Sequence, residues 1–320
     1  MTQAPAAETA HGIHTLDTGF HRPHFDAAYL IVEQGHGALI DCGTTLSVPR
    51  LLQGIQDAGL APEAIDWLIL THVHLDHAGG AGALLQHLPN ARCLVHPRGA
   101  PHMIDPTKLI AGATAVYGTE EMARSYGTIV PVPSERVVLA YEAHRVELAG
   151  RSLLCLDTPG HASHHICLWD AASASVFAGD TFGISYRELD SPLGPFIFPT
   201  TTPVQFDPEA LKSSIRRVLA LHPKHIHLTH FGAVGSPASL GERLVELIDA
   251  MVASALACAD ATPRHEALVA ALDQLYVPAA MAHSGLSADA VRALIGMDIQ
   301  LNAQGLGVWL DRQQRSSAPS

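Results

Sequence analysis

One short run of the sequence carries side chains that can bind metal ions. Its four metal-competent residues, all within six positions, are His72, His74, Asp76 and His77. The first two histidines are two apart directly after an apolar run, so in extended backbone their side chains project to the same side and can share one ion. The aspartate and the last histidine follow at once, and a turn at Gly79-Gly80 would let them swing toward a second ion. The run therefore predicts two adjacent metal ions.

Two ions need more ligands than these four, and isolated candidates follow three later apolar runs. They are His161 in Thr158-Pro159-Gly160-His161, Asp180 in Ala178-Gly179-Asp180-Thr181, and His230 in Leu228-Thr229-His230-Phe231-Gly232. Our assignment places His72, His74 and His161 on the first ion, places Asp76, His77 and His230 on the second, and makes Asp180 the bridge. A carboxylate and a hydroxide shared by two ions leave the hydroxide nucleophilic, because the metals lower the pKa of bound water.

The elements that must position these residues are short apolar runs that alternate with amphipathic segments. The predicted strands cover residues 28–32, 38–40, 67–70, 92–95, 145–148, 153–156, 166–169, 175–178 and 225–228. The predicted helices among them cover 48–58, 80–87 and 208–221. Two strand-rich halves with helices outside predict an α/β fold of two sheets packed face to face, with the functional side chains at the strand ends.

The chain divides into three parts by pattern. We predict an N-terminal tail at 1–11, a catalytic domain at 12–235 with a partly helical insertion at about 100–136, and a helical C-terminal subdomain with a tail at 236–320. The C-terminal helices are expected at 240–257, 263–275 and 288–310. Their apolar stripes could form a homodimer interface or pack on their own domain.

The amino-acid composition limits which binding partners and which cellular compartment we expect for this protein. The net charge of −12 argues against binding to nucleic acid or to an anionic membrane, which leaves a small molecule as the expected substrate. The five cysteines form no CxxC pair, and their odd number argues against a complete disulfide framework. The first residues lack the basic flank and apolar core of a signal peptide, so we expect a cytoplasmic protein.

The motifs T-H-x-H-x-D-H-x-G-G, T-P-G-H, G-D-T and T-H-F-G together resemble those of the metallo-β-lactamase superfamily over about residues 12–235. The resemblance implies a four-layer αββα sandwich with a binuclear site at the sheet edges, and it carries over all seven ligands named above. It implies zinc as the metal, although histidine and carboxylate ligands also admit iron or manganese. It further implies that Asp41 supports the site.

One difference from the β-lactamases indicates which branch of the superfamily the chain resembles. The commonest class of true β-lactamases has a cysteine ligand where this chain has Asp180. The chain therefore resembles the glyoxalase II, lactonase and thioesterase branch, which includes thioesterases of quinolone-signal synthesis. Glyoxalase II carries a C-terminal basic cluster for glutathione, which we do not find here.

The expected reaction is hydrolysis of an ester-like carbonyl by the shared hydroxide, on a thioester first and a lactone next. Asp76 would also orient the hydroxide, and His165 corresponds to a position where some family members touch the substrate or stabilise the oxyanion. Alternatives on the same fold are a small-molecule phosphodiesterase, a di-iron redox protein and a non-catalytic sensor. The aromatic residues of loop 185–206 would either line an apolar pocket or fill the core.

Overall fold

The computed structural model describes residues 8–9, 11–201 and 205–317, so most of the predicted N-terminal tail lies outside the described residues. The chain forms two compact units. Unit 1 comprises residues 1–157, 164–179 and 224–233, and unit 2 comprises 158–163, 180–223 and 234–320. The predicted domain boundary at 235/236 stays a prediction; by contacts, residues 158–163 and 180–223 group with the C-terminal helices.

The first sheet belongs to unit 1 and has seven strands in sequential order. They are β1 (Glu8–Thr9), β2 (Ile13–Asp17), β3 (Ala27–Glu33), β4 (His36–Ile40), β5 (Ile65–Ile69), β6 (Arg92–Val95) and β7 (Val137–Leu139). Strands β1 to β4 form an antiparallel meander, and β4 to β7 pair in parallel. Parallel neighbours need a crossover, which places the carboxyl ends of β4 and β5 at the same edge.

The second sheet has six strands in the order β13-β12-β11-β10-β9-β8. They are β8 (Arg145–Leu148), β9 (Arg151–Asp157), β10 (Ile166–Asp170), β11 (Ser175–Gly179), β12 (His225–Leu228) and β13 (Gly232–Val234). Strands β8 to β11 are antiparallel, whereas β11 and β12 are parallel. Ala149 and Gly150 form the turn between β8 and β9, and both residues have positive φ.

The two sheets face each other within unit 1. Tyr29 of β3 packs edge-on against Phe177 and His227 of the second sheet and donates a hydrogen bond to the Leu228 carbonyl. On the other face of the first sheet, α1 (Val48–Asp57) and α3 (Ala81–Leu85) bury an apolar stripe that includes Leu51, Ile55 and Leu84. This core fixes the strand ends that carry the candidate ligands.

Helices account for the remaining elements. Unit 1 also holds α2 (Leu75–Ala78), α4 (Ala100–Ile104), α5 (Thr107–Tyr117), α6 (Thr119–Glu121) and a π-helical turn at Met122–Tyr126, so the insertion is partly helical as predicted. Unit 2 holds α7 (Pro208–Leu219), α8 (Pro237–Ala257), α9 (Arg264–Ser284) and α10 (Ala288–Ser317). None of the helices in the described ranges is both long and apolar enough to cross a membrane.

The predicted strands and helices are present as strands and helices, but several of their first and last residues differ from the predicted ones. Helix α9 continues nine residues beyond the predicted end, through Pro278, because its apolar residues pack against α10. Strands β1, β2, β7 and β13 were not predicted; β1 falls in the predicted tail, and β1, β7 and β13 have only two or three residues each, too few to show a period. The two mixed sheets with flanking helices and a helical C-terminal region are those of the predicted α/β sandwich class.

Candidate metal centre

His72 and His74 follow β5 in extended backbone, and their ring nitrogens converge. His72 Nε2 lies 2.8 Å from His74 Nδ1. The other nitrogen of His72, Nδ1, lies 3.1 Å from the Thr71 hydroxyl, which itself donates to Asp41 Oδ2 at 2.7 Å. Since that hydroxyl proton is engaged, the oxygen accepts the Nδ1 proton of His72. This fixes the tautomer that turns a lone pair on Nε2 toward His74.

Asp76 and His77 lie on α2, which begins directly after His74. The predicted turn at Gly79-Gly80 is present and leads into α3, but the chain already enters a one-turn helix at Leu75, which was not predicted. His74 is still extended (φ −67°, ψ 150°), and its carbonyl accepts the hydrogen bond that closes the first helical turn. This change of backbone geometry gives the second pair of side chains a different direction from the first.

His77, Asp76 and His230 form one group able to hold an ion. Their ligand atoms all lie within 4.8 Å of one another. His77 Nε2 and His230 Nε2 are each 3.6 Å from Asp76 Oδ2. The Nδ1 atoms of both histidines are hydrogen-bonded as well. His77 Nδ1 donates to Asp41 Oδ2 at 3.0 Å, and His230 Nδ1 donates to the Phe25 carbonyl at 2.9 Å. Both imidazoles thus turn Nε2 toward the carboxylate.

These separations fit a shared ion better than direct hydrogen bonds. Two ligand atoms at about 2.0–2.2 Å from a tetrahedral ion stand roughly 3.3–3.6 Å apart, whereas a good hydrogen bond is about 2.7–3.2 Å. The 3.6 Å spacing of Asp76 from both histidines lies in the first range. The donor set of imidazole nitrogen and carboxylate oxygen suits zinc, iron and manganese alike.

Unit 2 carries the other two candidates, His161 and Asp180, as a pair. His161 Nε2 lies 3.3 Å from Asp180 Oδ2, and both side chains are buried. His161 Nδ1 faces the Thr200 carbonyl at 3.5 Å. The preceding Gly160 has φ +131°, and a Cβ there would stand 2.2 Å from the backbone nitrogen of Leu211 in α7. Only glycine therefore allows the loop to lie this close to the helix.

Asp41 is the central support within unit 1. Its carboxylate accepts from the Thr71 backbone NH and hydroxyl at 2.8 and 2.7 Å, from His77 at 3.0 Å and from the Thr229 hydroxyl at 3.3 Å. It thereby joins the residue before His72 and the residue before His230. The supporting position implied by the family resemblance is occupied as expected.

Two other buried groups adjoin this support. Burial raises the pKa of Asp26 to about 7, against the lowering effect of His230 and His77. Its Oδ2 accepts from the Thr18 hydroxyl at 2.8 Å, while its buried Oδ1 has no hydrogen-bond partner among the residues that the structure describes. The pKa of Cys42 is raised well above its usual value, first by burial and then by Asp41, as expected of a structural thiol.

His165 and His164 lie behind the first pair of histidines. His165 is fully buried and stacks on His72, with ring centroids 4.8 Å apart. In this place the ring can hold the orientation of His72, and its contact with substrate or oxyanion stays a prediction. His164 packs edge-on against His74, with ring centroids 5.7 Å apart.

The aromatic residues of loop 185–206 are buried inside unit 2. Phe198 packs against Tyr186 and against Tyr276 of α9, and Phe196 packs against His283 of the same helix. These contacts favour the core alternative over the pocket alternative. On the second sheet, His227 stacks on Phe177 at 4.6 Å and is likewise a core residue.

Sequence reasoning missed the partners that hold the imidazoles. The Thr71 hydroxyl and the carbonyls of Phe25 and Thr200 each face an Nδ1 atom. Threonine directly before a candidate histidine was the only available signal, since it recurs before His72 and His230. A carbonyl carries no signal, because every residue has one.

Comparison with known proteins gives consistent matches. The sequence pattern of the metallo-beta-lactamase superfamily matches residues 21–230. The metallo-beta-lactamase fold-containing protein ST1585 of Sulfurisphaera tokodaii is 27% identical over 74% of this chain and 84% of its own length. Its solved structure, an archaeal member of the superfamily, aligns with a TM-score of 0.61 over 74% of this chain and 86% of that one.

Two relatives with named activities match over shorter stretches. Hydroxyacylglutathione hydrolase of Pectobacterium atrosepticum is 29% identical over 41% of this chain and 38% of its own length. The atrochrysone carboxyl ACP thioesterase of Aspergillus fumigatus is 29% identical over 39% of this chain and 30% of its own length. The resemblance drawn from the motifs, including its hydrolase and thioesterase branch, is confirmed.

Proposed function

Because the chain belongs to the metallo-beta-lactamase superfamily, we propose that it is a metal-dependent hydrolase that cleaves a thioester, with a lactone as the nearest alternative substrate. The observation that carries the proposal is the common orientation of four imidazoles. In His72, His77, His161 and His230, Nδ1 faces an oxygen atom and Nε2 faces a further candidate ligand. Metal-binding histidines are typically oriented in this way.

The proposed centre holds two ions with seven ligands. His72, His74 and His161 would hold the first ion, Asp76, His77 and His230 the second, and Asp180 would bridge them. When bound, the ions would polarise the substrate carbonyl and lower the pKa of water toward neutrality. We take zinc as the resident metal from the family, with iron and manganese as alternatives.

The residues of the chain supply orientation and proton transfer. Asp76 is partly exposed, whereas His77 is buried, so the Asp76 carboxylate is the group of this cluster that an incoming water can reach. We propose that it orients that water and accepts its proton. His165, stacked on His72, is proposed to act at the oxyanion side, either directly or by holding His72 in place.

The preference for a thioester has two supports. Asp180, the proposed bridge, stands where the commonest β-lactamases have a cysteine ligand, and two relatives bear the names of a hydroxyacylglutathione hydrolase and an ACP thioesterase. The net charge of −12 further supports a small substrate over a polynucleotide. The proposal does not specify the acyl group of the substrate.

The test combines metal analysis with a substrate panel. Elemental analysis should give two metal ions per chain, and the loaded protein should turn over acyl-CoA or acyl-homoserine lactone faster than a phosphodiester or a β-lactam. Asp180→Ala should reduce both the metal content and the turnover, while the exposed His87→Ala control should keep both. Turnover of the phosphodiester alone, or of no carbonyl substrate, would refute the proposal.

A further inference from the structure

A single buried asparagine on the last helix binds the backbone on both sides of Thr200. Asn302 lies on α10, and its Oδ1 accepts from the Thr201 backbone NH at 2.7 Å. Its Nδ2 donates to the Pro199 carbonyl at 3.0 Å, and its own carbonyl accepts from the Thr201 hydroxyl at 3.3 Å. Donor and acceptor of one amide are therefore both used, and the peptide between them is held from two sides.

The Thr200 carbonyl held in this way is the one that faces His161. Its oxygen lies 3.5 Å from His161 Nδ1, while Nε2 of the same ring lies 3.3 Å from Asp180 Oδ2. An acceptor on Nδ1 keeps the proton there and leaves the Nε2 lone pair for a metal. At 3.5 Å the contact is at the outer limit of a hydrogen bond, so it depends strongly on where the carbonyl is held.

A second contact of α10 with this segment provides a comparison. Asp298, one turn before Asn302 and thus on the same face of the helix, accepts from the Tyr186 hydroxyl at 3.1 and 3.2 Å. Tyr186 lies six residues after Asp180 in the chain. Helix α10 thus contacts this part of the chain at Tyr186, at Pro199 and Thr201, and at Phe206, whose carbonyl accepts from Arg312. The Asn302 contacts lie on both sides of the carbonyl that faces His161.

We propose that Asn302 is a positioning residue of the metal centre, which orients His161 through the Thr200 carbonyl. The inference rests on the proposed function, since it takes His161 to be a metal ligand. It gives the C-terminal helices a role in metal binding although they contribute no ligand of the proposed set. Loss of the amide should free the 199–201 backbone and allow the imidazole of His161 to rotate.

The test measures metal binding, independently of turnover. Zn²⁺ is titrated into metal-free wild type, Asn302→Ala and Leu306→Ala in competition with a chromophoric chelator, and the visible spectrum of the Co²⁺ forms is recorded. Leu306 is a fully buried core residue one turn further along α10, which makes its truncation a control for general loosening of the helix. Asn302→Ala should weaken one of two metal equivalents roughly 10- to 100-fold and change the Co²⁺ spectrum.

The controls separate the possible results. Leu306→Ala should lower the thermal midpoint but keep both metal affinities and the wild-type spectrum. Equal loss of metal affinity in both variants, or unchanged affinity in Asn302→Ala, would overturn the proposed role while leaving the hydrolase proposal intact. Wild type that binds no metal would overturn both. If Asn302→Ala does not fold, Asn302→Ser, which keeps one polar atom, takes its place in the same titration.

Discussion

The Asp41 carboxylate accepts a hydrogen bond from His77 Nδ1 at 3.0 Å while both side chains are almost completely buried. The same carboxylate accepts two hydrogen bonds from Thr71. A buried carboxylate with this many donors is strongly held, and it fixes the orientation of two segments that carry candidate ligands. The support of the centre is therefore itself a buried charged network.

Replacing Asp41 should damage both stability and metal binding. Asp41→Ala leaves buried donors on Thr71 and His77 without an acceptor, so we expect the free energy of unfolding to fall by about 3–5 kcal/mol. Metal affinity at the Asp76, His77 and His230 group should fall roughly 10- to 100-fold. Urea unfolding and chelator competition measure the two effects.

A matched control for Asp41 exists on the surface. Asp66 faces His36 Nδ1 at 2.8 Å, but both side chains are substantially exposed. Asp66→Ala should therefore cost about 1 kcal/mol or less and leave metal affinity unchanged. Similar losses in the two variants would show that burial of the Asp41 network has no special effect.

Gly179, directly before Asp180, should tolerate no side chain. Its φ is +47°, and a Cβ there would lie 2.6 Å from His165 Nε2 and 2.8 Å from the Thr71 hydroxyl. For Gly179→Ala we expect a loss of about 2–4 kcal/mol, the sum of backbone strain and overpacking. Gly59→Ala, at φ +77° with no atom of a described residue within 4 Å of the added Cβ, should lose only the strain, about 1 kcal/mol. Urea unfolding would contradict the argument if both variants lost the same amount.

The sequence was most informative where chemistry depends on residue type and short spacing. The run from His72 to His77 and the single candidate ligands after β9, β11 and β12 could be found because each follows an apolar strand and has a glycine within two residues. Helix α2 was not predicted, because a one-turn helix is too short to show an apolar period. The link from Asn302 to His161 could not be predicted, because it passes through backbone carbonyls of a distant segment.

His227 should make the protein sensitive to acid. Burial lowers the pKa of this histidine from 6.5 to about 3, and within the described part of the chain its buried Nδ1 has no hydrogen-bond partner. The unfolded chain takes up the proton near pH 6.5 and the folded chain only near pH 3, so folding stability falls as the pH drops through this window. In His227→Phe, which keeps the stacking on Phe177, this loss should be absent.

The measurement for His227 is urea unfolding at pH 7, 5 and 4. The gap between wild type and His227→Phe should move in favour of the variant by an amount on the order of 1 kcal/mol for each pH unit below 6.5. The free energy of unfolding of the exposed control His87→Phe should change with pH in the same way as that of wild type. A gap that does not change with pH would contradict the buried neutral state of His227.

Asp26 should act in the opposite direction in the metal-free protein. Its folded pKa of about 7 lies above the usual value of 3.8, so between these values the folded state keeps a proton that the unfolded state has released. Stability from this residue is therefore fully present below pH 4 and is lost as the pH rises toward 7. Relative to Asp26→Asn, metal-free wild type should lose on the order of 1 kcal/mol per pH unit across this range in urea unfolding. The fully exposed Asp289→Asn should show no such trend.

Bound Zn²⁺ should weaken the pH dependence of stability that Asp26 causes, because nearby positive charge favours the carboxylate. In the metal-free protein, a difference in the free energy of unfolding between wild type and Asp26→Asn that stays constant with pH would refute the shifted pKa.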